Sequence, residues 1–352
     1  MFLKSEFLRV NLVTNQRGFA ALEIDSYYIY FVISDRKLYS YIPSVNQSLL
    51  PCLPPKMKND YEALEIKLFS SYLQKILAFT HRQFPFYNFS MYDIKINSSN
   101  CLILECVFFI LLYDFPYYIC LKNTDDINVL NFGLITQINN KISCIQFSDF
   151  LNSSIHDFKL FREIKEDVIC LDIAKHTNKI YFITGSSNGH CYLLQVDKNL
   201  NDVHNKCEIN LNYMIVDVKF FQSNNSAINL LICGALTGAH VYQDIACTRF
   251  KRDIFLSEST KYDVITAHDI CPLQNIGINK FIIFIGTFQG RILIYKYEEK
   301  IQDANIYPYN IIDVHSPVYG IKCLLKEGRS ICCIVVTPLG IHEYSDLVNK
   351  EF

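Results

Sequence analysis

Residues 281–295 read FIIFIGTFQGRILIY, which is an apolar run, a short turn that ends in glycine, and a second apolar run. Glycine readily adopts the positive φ values that tight turns between antiparallel strands require. The stretch therefore predicts a β-hairpin. Because its first strand is continuously apolar, we expect both faces of that strand to be buried. The second strand ends in tyrosine, whose hydroxyl we expect to reach water.

The same pattern recurs in residues 180–194, 230–242 and 331–344. Each copy has a glycine at its turn, to which we assign a structural role: Gly189, Gly238, Gly290 and Gly340. These glycines are 49, 52 and 50 residues apart. A repeat of roughly 40–50 residues is the signature of a β-propeller, in which four-stranded sheets bury their faces against one another.

Two weaker copies, in residues 29–41 and 107–121, lack the glycine and have Asp-Arg-Lys and Asp-Phe-Pro at their turns. Six hairpins are therefore readable, and a chain of 352 residues has room for seven units of about 50. We predict an all-β fold, a single seven-bladed β-propeller of the WD-repeat or FG-GAP-like type over residues 1–352. The unread blade would lie in residues 42–91 or 123–165.

A short helical insertion is predicted near residues 61–79. Leu64, Leu68, Tyr72 and Ile76 are four apart, which fits one face of an amphipathic helix. Residues 63–68 also alternate between apolar and polar side chains, so a strand stays open as the alternative.

The composition excludes several classes of function. Half of the residues are apolar and the net charge is only -2, which argues against disorder. The 33 basic residues are balanced by 35 acidic ones, so we expect no nucleic-acid partner. Residues 1–7 lack the apolar core of a signal peptide, and the longest apolar run, residues 106–113, is far too short to span a bilayer. We therefore expect no direct membrane insertion.

The chain has 14 cysteines but no CxxC pair. We interpret them as reduced, buried thiols that act as small apolar residues, and not as disulfides or a zinc site. The sequence predicts no metal and no cofactor.

Several polar residues resemble chemical sites. His240 and His342 occupy similar places in two hairpins and are either paired ligands or, as we favour, histidines that bond locally. His315 with Asp313 and Ser316 superficially suggests acid–base catalysis, but neighbours on a strand point to opposite faces.

Two loops also resemble binding sites. Residues 184–189 are rich in glycine but lack the GK[ST] ending of a phosphate loop, and a hairpin turn is favoured. Three charges in residues 249–252 could meet an acidic partner or lipid headgroups, but a solvated loop is favoured. We predict no catalytic residue.

Residues 241–245, 286–297, 316–323 and 335–342 resemble the kaptin family in the same order. The resemblance is collinear over about residues 167–348 and faint before them. It implies a propeller without enzymatic activity and a subunit of the KICSTOR complex, which helps recruit the GATOR complex to lysosomes and restrains TOR complex 1 signalling on nutrient deprivation. It also implies an actin association.

The sequence departs from the family's pattern in places. Kaptin's late blades resemble FG-GAP repeats with an acidic loop, but Asp269 and residues 322–328 supply too few carboxylates for calcium. The chain also stops at Phe352 without a charged tail, which puts contacts through such a tail in doubt.

The function predicted on these grounds is a scaffold with KICSTOR-type subunits and the GATOR complex as partners. It would be cytoplasmic and recruited to the lysosomal surface through them. An actin-associated cytoskeletal adaptor at the actin-rich cell edge, another propeller interaction scaffold, and a hydrolase that uses the central channel are the alternatives.

Overall fold

The structure is a computed structural model, and it describes residues 3–9, 17–24, 27–45, 48, 50–55, 57, 60–70, 75–112, 114–122, 132–137, 142–146, 155–157, 164, 166–176, 179–196, 203–222, 227–259, 263–273, 280–299, 303–326 and 330–345. The described strands form seven antiparallel sheets, most of them with four strands. The predicted all-β, β-propeller fold is confirmed.

The strands are numbered along the chain, beginning with β1 (Leu3–Arg9). Sheet I contains β2 (Phe19–Ile24), β3 (Tyr27–Ser34), β4 (Lys37–Tyr41) and β5 (Leu50–Pro51). Sheet II contains β6 (Glu62–Ser70), β7 (Lys75–Gln83), β8 (Phe86–Ile96) and β9 (Leu102–Leu112). Sheet III contains β10 (Pro116–Lys122), β11 (Phe132–Gln137), β12 (Ile142–Gln146) and β13 (Ile155–Asp157).

The second half of the chain contributes the other four sheets. Sheet IV contains β14 (Val168–His176), β15 (Lys179–Ser186), β16 (His190–Val196) and β17 (Val203–Asn210). Sheet V contains β18 (Ile215–Phe221), β19 (Asn229–Gly234), β20 (Gly238–Tyr242) and, after the helical turn α1 (Ile245–Thr248), β21 (Asp253–Leu256). Sheet VI contains β22 (Ile265–Pro272), β23 (Lys280–Thr287), β24 (Arg291–Glu298) and β26 (Asn310–Asp313), and the short β25 (Asn305–Ile306) joins sheet V in parallel to β21.

Sheet VII combines the two ends of the chain. It contains β27 (Gly320–Lys326), β28 (Ser330–Thr337) and β29 (Gly340–Ser345), and β1 pairs with β29 as its fourth strand. The last strand therefore has a hydrogen-bonded neighbour on each side.

The sheets divide between two compact units. Unit 1 comprises Met1–Phe7, Glu163–Thr337 and Ile341–Phe352, and it holds most of sheets IV to VII. Unit 2 comprises Leu8–Arg162 and Pro338–Gly340, and it holds sheets I to III. The prediction of a single domain over residues 1–352 stays a prediction.

The first strand of the hairpin in residues 281–295, β23, is buried on both faces, as its apolar run predicts. Residues 281–285 of β23 are each no more than 1% exposed. The expectation that tyrosine hydroxyls reach water is wrong for Tyr295, which is fully buried and donates to the carbonyl of Ser257 at 2.7 Å. The backbone carbonyl that directly follows β21 of sheet V thus takes the place of water.

The predicted helix near residues 61–79 is wrong, and the strand alternative is right. β6 and β7 pair there, with Ile66 opposite Phe79, and both side chains lie in the core. The spacing of four that suggested a helix is also an even multiple of the strand period of two, so Leu64 and Leu68 fit either pattern. Tyr72 lies outside the described residues.

The predicted hairpin at residues 107–121 is also wrong. β9 is the last strand of sheet II and β10 is the first strand of sheet III, so the turn at Phe115 connects two sheets. A short connection between two apolar strands has the same sequence pattern whether or not the strands pair. Both gaps that could hold the unread blade therefore contain strands, namely β5 to β7 and the first part of β8 in the first gap, and β11 to β13 in the second.

Candidate interaction surface

The turn glycines have the positive φ that their position predicts. The φ values are 95° at Gly189, 86° at Gly238, 90° at Gly290 and 152° at Gly340. At two of them a second constraint applies, because a neighbouring backbone passes close by. A Cβ on Gly290 would lie 2.5 Å from the amide nitrogen of Ser316, and one on Gly189 would lie 2.7 Å from that of Tyr213. These glycines fix how closely the connection to the next sheet approaches the hairpin turn.

A buried carboxylate holds the turn between β23 and β24. The side chain of Asp263 is fully buried, and its Oδ1 accepts a hydrogen bond from the backbone N–H of Gln289 at 2.9 Å. Its Oδ2 lies 3.4 Å from Nε of Arg291. Within the turn, Thr287 Oγ1 accepts from the backbone N–H of Arg291 at 3.0 Å. The turn is therefore held by hydrogen bonds both from Asp263 and from within the turn itself.

Large apolar side chains stand exposed at the tips of these turns, where polar residues are the rule. The tip between the second and third strands of a sheet carries an exposed residue in four sheets: Phe84, Leu236, Phe288 and Leu339. Exposed apolar side chains at one repeated position are candidates for a binding surface where they lie beside other exposed apolar residues.

In unit 1 the exposed tips adjoin exposed residues of the preceding connections. The backbone N–H of Ala235 donates to the carbonyl of Met214, and that of Phe288 donates to the carbonyl of Val264, each at 2.9 Å. The two groups of exposed side chains that these bonds bring together are jointly called the apolar rim. It consists of five side chains that are between 36% and 57% exposed: Tyr213, Met214, Leu236, Val264 and Phe288.

The two histidines singled out in the sequence bond locally, as favoured. His240 Nδ1 lies 3.0 Å from Asp253 Oδ1, and its Nε2 lies 3.3 Å from the carbonyl oxygen of Thr237. His342 Nε2 lies 3.1 Å from Thr337 Oγ1. Among the residues that the structure describes, no group of three or more His, Cys, Asp or Glu side chains could hold a metal ion.

The residues around His315 do not form a catalytic group. His315 is exposed with a φ of 59°, and Asp313 is exposed as well. Ser316 is buried, and its backbone packs against Gly290. The segment therefore supports the turn.

The two loops have the favoured structures. Residues 184–189 end β15 and form the hairpin turn before β16, in which Ser186 Oγ accepts from the backbone N–H of His190 at 2.9 Å. In the basic string, Phe250 packs edge-on against Tyr242, and Arg249 Nη2 donates to Asn205 Oδ1 at 3.4 Å, while Lys251 and Arg252 are exposed.

Asp269 has a structural role that the sequence reasoning missed. Its Oδ2 accepts a hydrogen bond from the backbone N–H of Cys323 at 2.8 Å, and Lys322 Nζ lies 3.1 Å from the same oxygen. Asp269 lies on β22 and Cys323 on β27, so the carboxylate joins the first strands of two successive sheets.

The same contact recurs at two other sheet boundaries. Asp172 Oδ2 on β14 accepts from the N–H of Phe220 on β18 at 2.8 Å, and Glu65 Oε2 on β6 accepts from the N–H of Ile119 on β10 at 3.1 Å. These three carboxylates are called the acid clamps. An acidic residue inside an otherwise apolar strand, such as Asp172 between Leu171 and Ile173, is the signal that could have revealed them.

The thirteen described cysteines are free thiols, eight of them buried, whereas Cys101 and Cys247 are exposed. Burial raises the pKa of Cys52 and of Cys271 to about 12. A thiol with a raised pKa is a poor nucleophile at neutral pH because the thiolate is scarce. No helix in the described part of the chain is long and apolar enough to cross a membrane.

These sheets and turns place the chain in the class of β-propeller proteins. A family model described as KICSTOR complex protein kaptin matches residues 146–346. Because the match covers more than half of the chain, the chain belongs to the kaptin family, and the sequence-based resemblance is confirmed. A search of curated protein sequences found no match.

Solved structures share the fold at low sequence identity. The crystal structure of BBS1N in complex with ARL6DN, soaked with mercury, is 11% identical with a TM-score of 0.65, and the match covers 99% of this chain and 97% of that one. The lead-soaked crystal gives 12% identity and the same TM-score and coverage. The crystal structure of Raptor from Chaetomium thermophilum is 9% identical with a TM-score of 0.60. The match covers 97% of this chain and 29% of that one.

Proposed function

We propose that the protein is a non-enzymatic β-propeller scaffold of a KICSTOR-type complex. In this role it helps recruit a GATOR complex to the lysosomal surface and so restrains TOR complex 1 signalling when nutrients are scarce. Its partners are the other subunits of the tether, and it is cytoplasmic until they recruit it. The observation that carries the proposal is the kaptin-family match over residues 146–346.

The apolar rim is the surface that fits this role best. All five of its residues lie inside the matched region. Interfaces in stable complexes have an apolar centre with aromatic residues and methionine enriched, and the rim supplies Tyr213, Met214 and Phe288. We infer that another subunit of the complex covers the rim.

We also infer that the sheets are the blades of a β-propeller. The support is the pairing of β1 with β29, which gives the last sheet a strand from the other end of the chain. Radial repetition of sheets with protected edges is the usual way in which propellers avoid exposed strand edges.

Affinity purification of the tagged chain from its own cells tests the proposal. The wild-type chain should recover the other KICSTOR-type subunits. The Leu236→Ser/Phe288→Ser double variant should recover them at least about tenfold less well, because truncation of central apolar residues removes most interface energy. Tyr307→Ser changes a residue that is 72% exposed outside the rim and should recover them normally.

The outcomes separate the proposal from its alternatives. Recovery of no tether subunit by the wild-type chain would refute the scaffold role. Sedimentation of the purified chain with actin filaments in that case would favour the actin-associated adaptor. Equal recovery of the subunits by the rim variant and the wild-type chain would be consistent with the scaffold role but would show that the apolar rim is not the binding surface.

A further inference from the structure

A cleft of about 600 Å³ opens in unit 2, outside the part of the chain that the family model matches. It lies where the β3–β4 turn, the start of β6, the end of β7 and the entry to β10 come together. Three arginines line it: Arg17, Arg36 and Arg82. We call it the arginine cleft.

Among the described residues that line the cleft, three arginines outnumber two glutamates. Arg36 Nη1 lies 3.1 Å from Glu62 Oε1, and Arg82 Nη1 lies 3.9 Å from Glu62 Oε2. Two guanidinium groups therefore share one carboxylate. The other acidic residue of the lining, Glu65, has a side chain only 3% exposed, and its Oε2 accepts the hydrogen bond of the acid clamp.

Aromatic rings hold two of the arginines in position. The Arg17 guanidinium lies 5.2 Å from the ring centre of Tyr117 and 4.7 Å from that of Tyr118, and it also donates to the carbonyl of Tyr117. The Arg82 guanidinium lies 5.6 Å from the ring centre of Phe84. Guanidinium groups that are already ordered lose less entropy when they bind a ligand.

Exposed apolar surface continues from the cleft. Phe84 is 78% exposed and Phe86 is 51% exposed at the tip of the β7–β8 hairpin. Phe115 lines the cleft and packs edge-on against Tyr87, with 5.5 Å between the ring centres. A ligand that fills the cleft would therefore meet guanidinium groups and aromatic rings side by side.

We propose that the arginine cleft binds a segment of a partner protein that carries a carboxylate side chain next to a large apolar side chain. The carboxylate accepts hydrogen bonds from Arg36 and Arg82, whose planar groups suit bidentate binding of carboxylates. The apolar side chain packs on Phe84 and the neighbouring rings. Arginine and aromatic residues together are the side chains that most often dominate binding energy at protein interfaces.

The charge of the cleft selects this occupant over a polyanion. Nucleic acids are bound by surfaces that neutralise many phosphates, whereas this cleft offers three arginines, two of which already face Glu62. A single carboxylate is the anion that such a site can accommodate.

A peptide array tests the proposal with the full-length chain. Its probes are short peptides that place Glu or Asp beside Leu, Phe or Tyr, each matched by a copy with Gln or Asn instead. We expect the chain to retain acidic peptides and to release their amide copies. Arg36→Gln and Arg82→Gln should each weaken this binding about tenfold, as expected for loss of a charged hydrogen bond.

The Glu62→Gln variant distinguishes between two roles of the arginines, ligand binding and a purely structural contact with Glu62. If the arginines serve a ligand, removal of the competing carboxylate should strengthen binding of the acidic peptides, about tenfold at most. If they serve only to hold Glu62, the variant should leave peptide binding unchanged. Arg252→Gln, which removes an exposed arginine of unit 1, is the matched control and should bind as the wild-type chain does.

Three results would overturn the proposal: no retention of acidic peptides over their amide copies, retention that the arginine variants do not reduce, or unchanged binding by Glu62→Gln. Binding to phosphatidylserine vesicles without binding to the peptides would overturn it in favour of a lipid surface. Because the cleft lies outside the family-matched region, its failure would leave the scaffold role untouched.

Discussion

At the scale of single residues, Gly290 carries two constraints at once. Its φ of 90° disfavours any side chain, and a Cβ there would lie 2.5 Å from the backbone nitrogen of Ser316. Backbone atoms cannot rotate away as a flexible side chain can. We expect Gly290→Ala to lower the free energy of unfolding by about 2–4 kcal/mol, which combines the left-handed backbone cost with overpacking.

Chemical denaturation checks this expectation. Gln289→Ala is the control, because it changes the neighbouring exposed side chain and keeps the same turn. A Gly290→Ala variant as stable as Gln289→Ala would show that the turn relaxes more easily than its geometry implies.

His81 is a buried base that must stay neutral. It is fully buried, stacks on Phe79 with 5.2 Å between ring centres, and desolvation lowers its pKa from 6.5 to about 4. Between those two pH values the unfolded chain binds a proton that the folded chain does not. Stability should therefore be complete above about pH 6.5 and fall by about 3 kcal/mol as the pH drops to about 4.

The pH dependence of unfolding measured on a variant isolates this residue. His81→Leu should flatten the loss of stability between those pH values, because the titrating group is gone. His204→Leu, at an exposed position on β17, should keep the wild-type slope. An unchanged slope in His81→Leu would assign the acid sensitivity to other groups.

At the scale of strands, the acid clamps link neighbouring sheets through single backbone donors. Asp172 is 2% exposed, and its carboxylate accepts the buried N–H of Phe220. Asp172→Ala leaves that N–H without this acceptor, and we expect a loss of about 2–3 kcal/mol. Asp172→Asn keeps an acceptor oxygen and should lose less.

Hydrogen exchange on β18 measures the clamp directly. In Asp172→Ala the amides of β18 should exchange faster, while β23 in sheet VI keeps its protection. Asp303→Ala, which removes an exposed carboxylate, is the control and should leave the exchange of β18 unchanged. Unchanged exchange on β18 would mean that sheet packing alone holds the boundary.

The strands also show which features of the fold a sequence pattern can predict. The apolar runs and turn glycines predict β23 and β24 because both signals depend on residues close in the chain. At Phe115 the sequence pattern predicts a hairpin turn, whereas the structure has a connection between two sheets there, because strand partners are set by packing between distant segments. The sequence suggests only a calcium-ligand role for Asp269, because the N–H that its carboxylate binds lies 54 residues away.

At the scale of the molecule, the candidate surfaces cannot be predicted from the sequence, because they too depend on contacts between distant segments. Leu236 and Phe288 are ordinary apolar residues in the sequence, and only their exposure at equivalent turn tips makes them a surface. Arg36 and Arg82 are 46 residues apart and become neighbours only through Glu62. Repeat spacing predicts the architecture, whereas a binding surface depends on which turns the architecture brings together.

The pairing of β1 with β29 brings the beginning of the chain to its last sheet. Without β1, the backbone groups of β29 on that side would face solvent as an open sheet edge, which promotes association between copies. We expect a chain that lacks residues 1–9 to exchange the amides of β29 faster and to form concentration-dependent oligomers. Sheet V, which contains no residue of that segment, should keep its protection.

A synthetic peptide of residues 1–9 provides the decisive arm of this experiment. Added in excess to the shortened chain, it should pair with β29 as an added strand, restore its slow exchange and reduce oligomer formation. A peptide of the same composition in scrambled order is the control, because strand addition with the native side-chain pattern should prefer the native order. If β29 exchanges slowly in the shortened chain without any peptide, β1 contributes little to the closure of sheet VII.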